Sequence, residues 1–467
     1  MTCVSSGPRT PPVLLPYTDS AETQIGLDHS ESESEGEVEL FVRLMISGSR
    51  ADVPVPLAPV RPLRLGIDRE PRQVGDVTLG FVVGAALVGL GLAHLVYTYV
   101  AYPWIMSWLP ERPPRPGLSA PPRLISVVIA ARARRKGVAH KVKSLLRTIR
   151  LPCEIVVVLD GPDAEVSYEV GELVALRDKR IKVSVLPDRR GKAAALNHAV
   201  AIAAGDVLVF TDVRQEVAAG AVERLVANLS SPDVGAVSGS LAISSASGSE
   251  GLYERYWRFE RWLRSREAAW DSSVGVTGAL YALRRELWSP LPHGLLLDDV
   301  WVPFQVVRAG FRVVFDSLAV TIDVPSPSDA TELDRKIRTL TGNYQLIAWM
   351  PTVLIPWKNR IWWQFISHKV LRLLTPFAAA SVLTGAVLMS GGWAGLIMLL
   401  AALGLTVSVV ARRGEAPGAP GRGFRGTLRS GLALFAALMM AALNAARGRW
   451  DVWTDPVRPQ LVDTHRS

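Results

Sequence analysis

Glu154-Ile155-Val156-Val157-Val158-Leu159-Asp160-Gly161 is an uninterrupted apolar run closed by an acid and a glycine. A strand with one wet face would alternate; a continuous run belongs to a strand covered on both faces. The same form occurs upstream in Leu124 to Ala130 (LISVVIA) and downstream in Val207 to Thr211 (VLVFT), which runs into Asp212, with a weaker version in Ile181 to Val185. Between these runs the apolar period changes to that of a helix. His140 to Ile149 places Val142, Leu145, Leu146 and Ile149 on one face, and helices are expected near Val166 to Ala175 and from Lys192 to Ala203. Alternation of buried strands with amphipathic helices implies an α/β fold with a parallel, doubly wound sheet. Its ligand crevice lies at the carboxyl ends of the strands. Asp160 and Asp212 both fall at such ends, where an aspartate is either a turn former or a ligand-facing carboxylate.

The flanks of this region have a different composition. From Val77 to Pro110 there is no Asp, Glu, Lys or Arg, long enough to cross ~30 Å of hydrocarbon, and Tyr97, Tyr99, Tyr102, Trp104 and Trp108 form an aromatic belt at one end. A transmembrane helix is expected over 77–104. Residues 351–372 are rich in Trp and basic side chains, including Trp357, Trp362, Trp363, Lys369 and Arg372, and read as an interfacial amphipathic helix. Leu373 to Ala411 is uncharged and divided by Gly391-Gly392, and Ser430 to Ala446 is a further apolar run, so 373–446 is expected to hold three more spans. Hydrophobic residues make up 49% of the 467-residue chain and mean hydropathy is +0.22, which also favours a membrane protein.

Arg112, Arg115 and Arg123 follow the first expected span, and Lys369, Arg372, Arg412, Arg413, Arg422 and Arg425 border the others on the same side. The positive-inside rule makes that side cytoplasmic, so the 124–350 domain is expected in the cytosol of a multi-pass protein of the inner, or plasma, membrane. These flanks also account for much of the net charge of +9, and no nucleic-acid partner is expected. Residues 1–75, with the Ser30 to Glu35 acidic repeat and frequent proline, read as disordered or atypical, and 447–467 as a C-terminal tail. Cys3 and Cys153 offer neither a disulfide framework nor a metal quartet. Gly191-Lys192 is no phosphate-binding P-loop, because the earlier glycine and the following Ser or Thr are missing.

An ordered series of short motifs carries a family likeness: Ser126 to Ala131 (SVVIAA), Asp160-Gly161, Gly191 to Asn197 (GKAAALN), Phe210-Thr211-Asp212, Val237-Ser238-Gly239, Gly275 to Ala279 (GVTGA), Leu297-Asp298-Asp299 and Arg335 to Arg338 (RKIR). In this order and spacing, over about residues 95 to 385, the chain resembles the family 2 glycosyltransferases of the GT-A fold, in particular the membrane-integrated synthases related to cellulose and hyaluronan synthases. The resemblance implies a GT-A Rossmann-like doubly wound sheet inserted between transmembrane helices. It implies an inverting hexosyltransferase, using a UDP-sugar donor and a glycan or lipid acceptor, in a metal-dependent reaction of the kind that builds polysaccharides.

The residue roles follow from the same resemblance. Asp160, Lys192 and Asn197 would bind the donor, Asp212 would hold Mg2+ or Mn2+ against the diphosphate, Asp299 would be the general base with Asp298 beside it, and Arg335 and Arg338 would neutralise the departing diphosphate. Asp298 would alternatively cap the helix that follows. Several stretches depart from the family pattern, among them Thr339 where tryptophan usually follows the Arg335 to Arg338 motif and serine where an acid is expected in Val237-Ser238-Gly239-Ser240. Arg132-Ala133-Arg134-Arg135 is basic where an acid follows the first strand, and Arg214 replaces the second acid after Asp212. These departures keep a second reading in play, a catalytically impaired, nucleotide-binding membrane scaffold.

Overall fold

The structure is a computed structural model that describes residues 74–115, 122–132, 137–162, 164–243, 252–323, 329–390 and 424–451. Its centre is one sheet built from β1 (Ile125–Arg132), β2 (Cys153–Asp160), β3 (Ile181–Val185), β4 (Val207–Thr211), β5 (Glu216–Val217), β6 (Val234–Ile243), β7 (Leu280–Arg284) and β8 (Arg312–Asp323). The strand order is β3-β2-β1-β4-β7-β6-β8-β5. The first four strands are parallel, as the apolar runs require. Successive side chains of β1 alternate between two cores. Val128 packs on one face with Val156 and Phe210, and Val127 and Ile129 pack on the other with Val157 and Val209.

The rest of the sheet is not parallel. β7 runs against both β4 and β6, and only β6 and β8 return to a parallel pairing. The cause is the point of entry: Leu280, the first residue of β7, pairs with Thr211, the last of β4, so the chain enters β7 at the crevice end. This delivers the Gly275 to Ala279 loop to the carboxyl end of β4, beside Asp212.

Two described helical stretches are long and apolar enough to cross a membrane, Leu79–Trp108 and Trp362–Ser390. The first comprises α1 (Val74–Val96), a π turn at Tyr97–Ala101 and α2 (Tyr102–Trp108). The second shows that the expected interfacial helix over 351–372 is not a separate element. Residues 351–358 form two short 3-10 turns, after which α10 (Trp362–Phe365), a π turn (Ile366–Val370) and α11 (Leu371–Ser390) run on without a break. No glycine or proline interrupts 362–375, so nothing ends the helix where its composition turns apolar. A further apolar helix, α12 (Phe424–Ala446), has only a short apolar part at Ala433–Ala446. The expected span ending at Ala411, the N-terminal segment up to residue 73, residues 452–467 of the tail and Ala133-Arg134-Arg135 lie outside the described residues.

α1 and α11 pack closely because glycines let their backbones approach. A Cβ on Gly84 would stand 2.7 Å from the Gly385 carbonyl oxygen, and one on Gly91 2.7 Å from that of Ala378, whereas Gly80 faces open space. Gly84→Leu is therefore expected to destabilise the protein by about 1–3 kcal/mol through overpacking. Gly80→Leu serves as the neutral control in thermal unfolding in detergent. Equal melting of the two variants would remove the close approach.

At the end of this helix pair, α7 (Leu252–Trp270) contributes two buried acids. His368 lies between them, with Nδ1 2.8 Å from Glu267 Oε1 and Nε2 2.8 Å from Glu260 Oε1. Arg372 donates to Glu260 at 2.8 Å, Arg264 stands 3.4 Å from it, and Tyr102 donates to Glu267 at 2.7 Å. Burial alone would raise the Glu260 carboxyl, but His368, Arg372 and Arg264 hold it well below the usual range. Its folded pKa is depressed, so its contribution is present above the unfolded value near 4.3 and fades as pH falls through the folded one. Glu260→Ala leaves buried cations facing one another and is expected to cost about 3–5 kcal/mol. A melting temperature at neutral pH close to wild type would contradict this.

Candidate active site

At the carboxyl end of the parallel strands, a small crevice is floored by Ala130 and Phe210 and lined by Lys192, Asp212, Gly278 and Asp298. Three elements converge there. Asp212 follows β4, Lys192 is the first residue of α5 (Lys192–Ile202), and Asp298 and Asp299 form the first turn of α8 (Asp298–Arg308). Lys192 Nζ lies 3.4 Å from Asp212 Oδ1 and 3.1 Å from Asp298 Oδ1. Burial alone would lower the ammonium, but Asp212, Asp298 and Asp299 outweigh it and raise its pKa, so Lys192 is a cation at any physiological pH.

Asp298 is not a helix cap: the capping position is Leu297 and no side chain caps it. Its carboxylate instead serves Lys192. Asp299 is different. Its Oδ1 is buried with no hydrogen-bond partner among the described residues, and a Cβ added to Gly278 would come within 3.4 Å of its Oδ2. Burial first, then the neighbouring Asp298, push its carboxyl above the ordinary range, while Lys192, Arg264 and Lys369 oppose the shift. Val276 donates its backbone N–H to the Asp299 carbonyl at 2.8 Å, so the GVTGA loop and the acid pair are held as one unit.

Of the two arginines on α9 (Asp329–Trp349), Arg338 feels Asp299, Asp212 and Asp298, although burial lowers its pKa more than those acids raise it. Arg338 therefore belongs to the same cluster. Arg335 stands one turn away and adds its charge to that of Arg338.

Asp160 and Asn197 hold the site from behind. Asp160 Oδ1 accepts from the Arg190 N–H at 2.7 Å and Oδ2 from the Gly191 N–H at 2.9 Å. The carboxylate thus holds the turn that starts α5 and aims Lys192. Gly161 has φ +88°, and a Cβ there would press on the Arg189 backbone nitrogen at 3.1 Å, so glycine is required for this turn. Asn197 exchanges two hydrogen bonds with the backbone of Leu291, at 2.9 and 2.8 Å, tying α5 to the segment that leads into Asp298.

Further residues join the site through tertiary contacts that no motif marks. Arg214 and Gln215 both donate to Asp323 at the end of β8. Lys141, on α3 (Val138–Thr148), is buried and donates its ammonium to the Gln215 carbonyl. Burial brings its pKa down to about 8 against the pull of Asp212 and Glu216. Lys141 and Asp323 thus fix the 212–215 loop from two sides. A long-chain cation on an otherwise apolar helix face is the only local sign of this.

Fold and crevice together define an α/β protein with a small charged crevice at its strand ends. Residues 126–288, from β1 to just past β7, match the family model described as glycosyl transferase family 2. Among solved structures the chain is similar to a mannosyltransferase from Pyrobaculum calidifontis in complex with GDP-Man and Mn2+. The TM-score is 0.58 at 20% identity, covering 80% of this chain and 99% of that one, which identifies the GT-A-type fold. A more distant match, GalNAc-T7 with UDP, GalNAc and Mn2+, covers 43% of this chain and 44% of that one at 19% identity and a TM-score of 0.34. A search of curated proteins finds no match.

Proposed function

We propose that this chain is a membrane-bound, inverting glycosyltransferase that moves a hexose or N-acetylhexosamine from a UDP-sugar to a glycan or lipid acceptor, with its catalytic domain on the cytosolic side. The observation that carries the reading is the meeting of Lys192, Asp212 and Asp298 at one strand-end crevice, with Asp299 beside them and Arg338 within reach of their charge, in a chain whose residues 126–288 match the glycosyltransferase family 2 model. The GDP-Man named for the similar Pyrobaculum structure supports a nucleotide-sugar donor.

Asp299 is suited to take the acceptor proton. Its carboxylate oxygen has no partner among the described residues, and its raised pKa brings its basicity nearer to neutral pH. Asp298 holds Lys192, and Lys192 with Arg338 places positive charge where a leaving diphosphate develops negative charge. Arg335 adds to that field. A single base opposite the leaving group yields inversion.

For the divalent metal, the donor set fits only in part. Asp212 supplies one carboxylate that opens on the crevice, and among the described residues no three His, Cys, Asp or Glu side chains group as metal ligands. Asp212 would hold Mg2+ or Mn2+ together with diphosphate oxygens and water, as small hard cations favour. When bound, the metal neutralises the diphosphate. The scaffold reading draws on Arg214, which stands where the family pattern has a second acid after Asp212 and pairs with Asp323.

Nucleotide release from labelled sugar donors by the purified full-length protein, with Mg2+ or Mn2+, tests the proposal. Nucleotide binding without turnover on any common donor and acceptor would favour the scaffold.

A further inference from the structure

Lys192 occupies the place where the charge of this crevice is decided. Its ammonium stands within 3.4 Å of Asp212 and 3.1 Å of Asp298, and these are the two carboxylates that line the crevice. The turn before it is held by Asp160 through the Arg190 and Gly191 amides, which fixes where the side chain starts. A divalent ion on Asp212 would therefore meet a fixed positive charge at nearly the same oxygen. The other acid lining the crevice, Asp298, is engaged by the same ammonium at 3.1 Å. Arg214, two residues after Asp212, brings a further cation and is bound to Asp323. Arg338 adds another.

A nucleoside diphosphate changes the balance. Its oxygens supply negative charge and hard ligands for the metal, and give the ammonium acceptors other than Asp212.

Resting on the glycosyltransferase reading above, we infer that Lys192 is the resident cation of the donor-free crevice: it excludes divalent metal from Asp212 until a nucleoside diphosphate arrives, so that metal and diphosphate enter together. Lys192 is in this sense a positioning residue that sets the order of assembly. Asp212 changes partner from ammonium to metal as the donor docks, and Lys192 turns to the phosphate oxygens.

The test is Mn2+ uptake by the full-length protein in detergent, followed by the loss of the free Mn2+ paramagnetic resonance signal, with and without UDP or GDP. Wild type is expected to take up Mn2+ only when nucleotide is present. Lys192→Gln is expected to take it up without nucleotide, with affinity raised at least about tenfold over nucleotide-free wild type. Lys192→Arg, which keeps the charge, should restore exclusion, and thermal unfolding of each variant checks that it is folded. Nucleotide-free Mn2+ binding by wild type as tight as by Lys192→Gln would overturn the inference. So would exclusion of Mn2+ by the nucleotide-bound protein. Calorimetry with UDP and GDP runs alongside: if neither binds, the donor reading itself fails, while the nucleotide-free comparison still reports on Lys192.

Discussion

Replacing Asp299 with asparagine is expected to lower glycosyl transfer by about 10²–10⁴-fold while donor affinity stays near wild type. The amide is nearly isosteric, so the Val276 contact to the Asp299 backbone and the spacing from Gly278 are retained. What is lost is the proton acceptor. Because burial and Asp298 raise the Asp299 pKa, the acid limb of the wild-type kcat/KM profile should lie above the ordinary carboxylate value of about 3.9. The sign follows from the role: the base must be unprotonated, so rate rises as pH increases through the raised Asp299 pKa. Steady-state rates and donor binding, measured separately, check the result. If Asp299→Asn turned over like wild type, Asp299 would have no part in the chemistry.

Asp160→Ala is expected to act by a different route, with a loss of about 3–6 kcal/mol in stability and a fall in turnover with it. Its buried carboxylate accepts two backbone N–H bonds from the turn that launches α5, and charged hydrogen bonds of this kind contribute about 1.5–3 kcal/mol each. Without them Arg190 and Gly191 lose their acceptors, and Lys192 loses its fixed approach to Asp212 and Asp298. Asp160→Asn, which keeps one acceptor oxygen, should fall between. A residue that only touched the nucleotide would show the reverse pattern, with donor affinity lost and melting unchanged. Thermal unfolding in detergent and calorimetry with UDP separate the two.

Much of this fold is legible in the linear sequence because it depends on local periodicity. Continuous apolar runs ending in Asp160 and Asp212 identify buried parallel strands and their carboxyl ends, and the helical stretches between them appear where the period changes. The uncharged run after Asp76 forms a helix for the same reason. The candidate site residues Lys192, Asp212, Asp298, Asp299 and Arg338 are recognisable in the chain because each sits in a short motif, all but Arg338 at an element boundary.

Other features depend on distance in space. The reversal at β7 is set by which end of the strand the chain reaches first, and strand composition is blind to direction. The merging of the Trp-rich segment with α11 hinges on a π turn that continues the helix where its amphipathic character ends. Asp160 and Asn197 look like ligand-facing residues in sequence, yet their side chains meet the backbone of Arg190, Gly191 and Leu291, as far as 94 positions away. Lys141, Asp323 and the Glu260–His368–Glu267 cluster carry no signature, since a buried ion pair requires two partners and the sequence displays them one at a time. The linear order of residues marks the first four strands, the helices between them and the charged groups at their ends. That Lys192 lies between two of those acids is a product of tertiary packing, because the contact is made by three elements whose order in the chain says nothing of their distance.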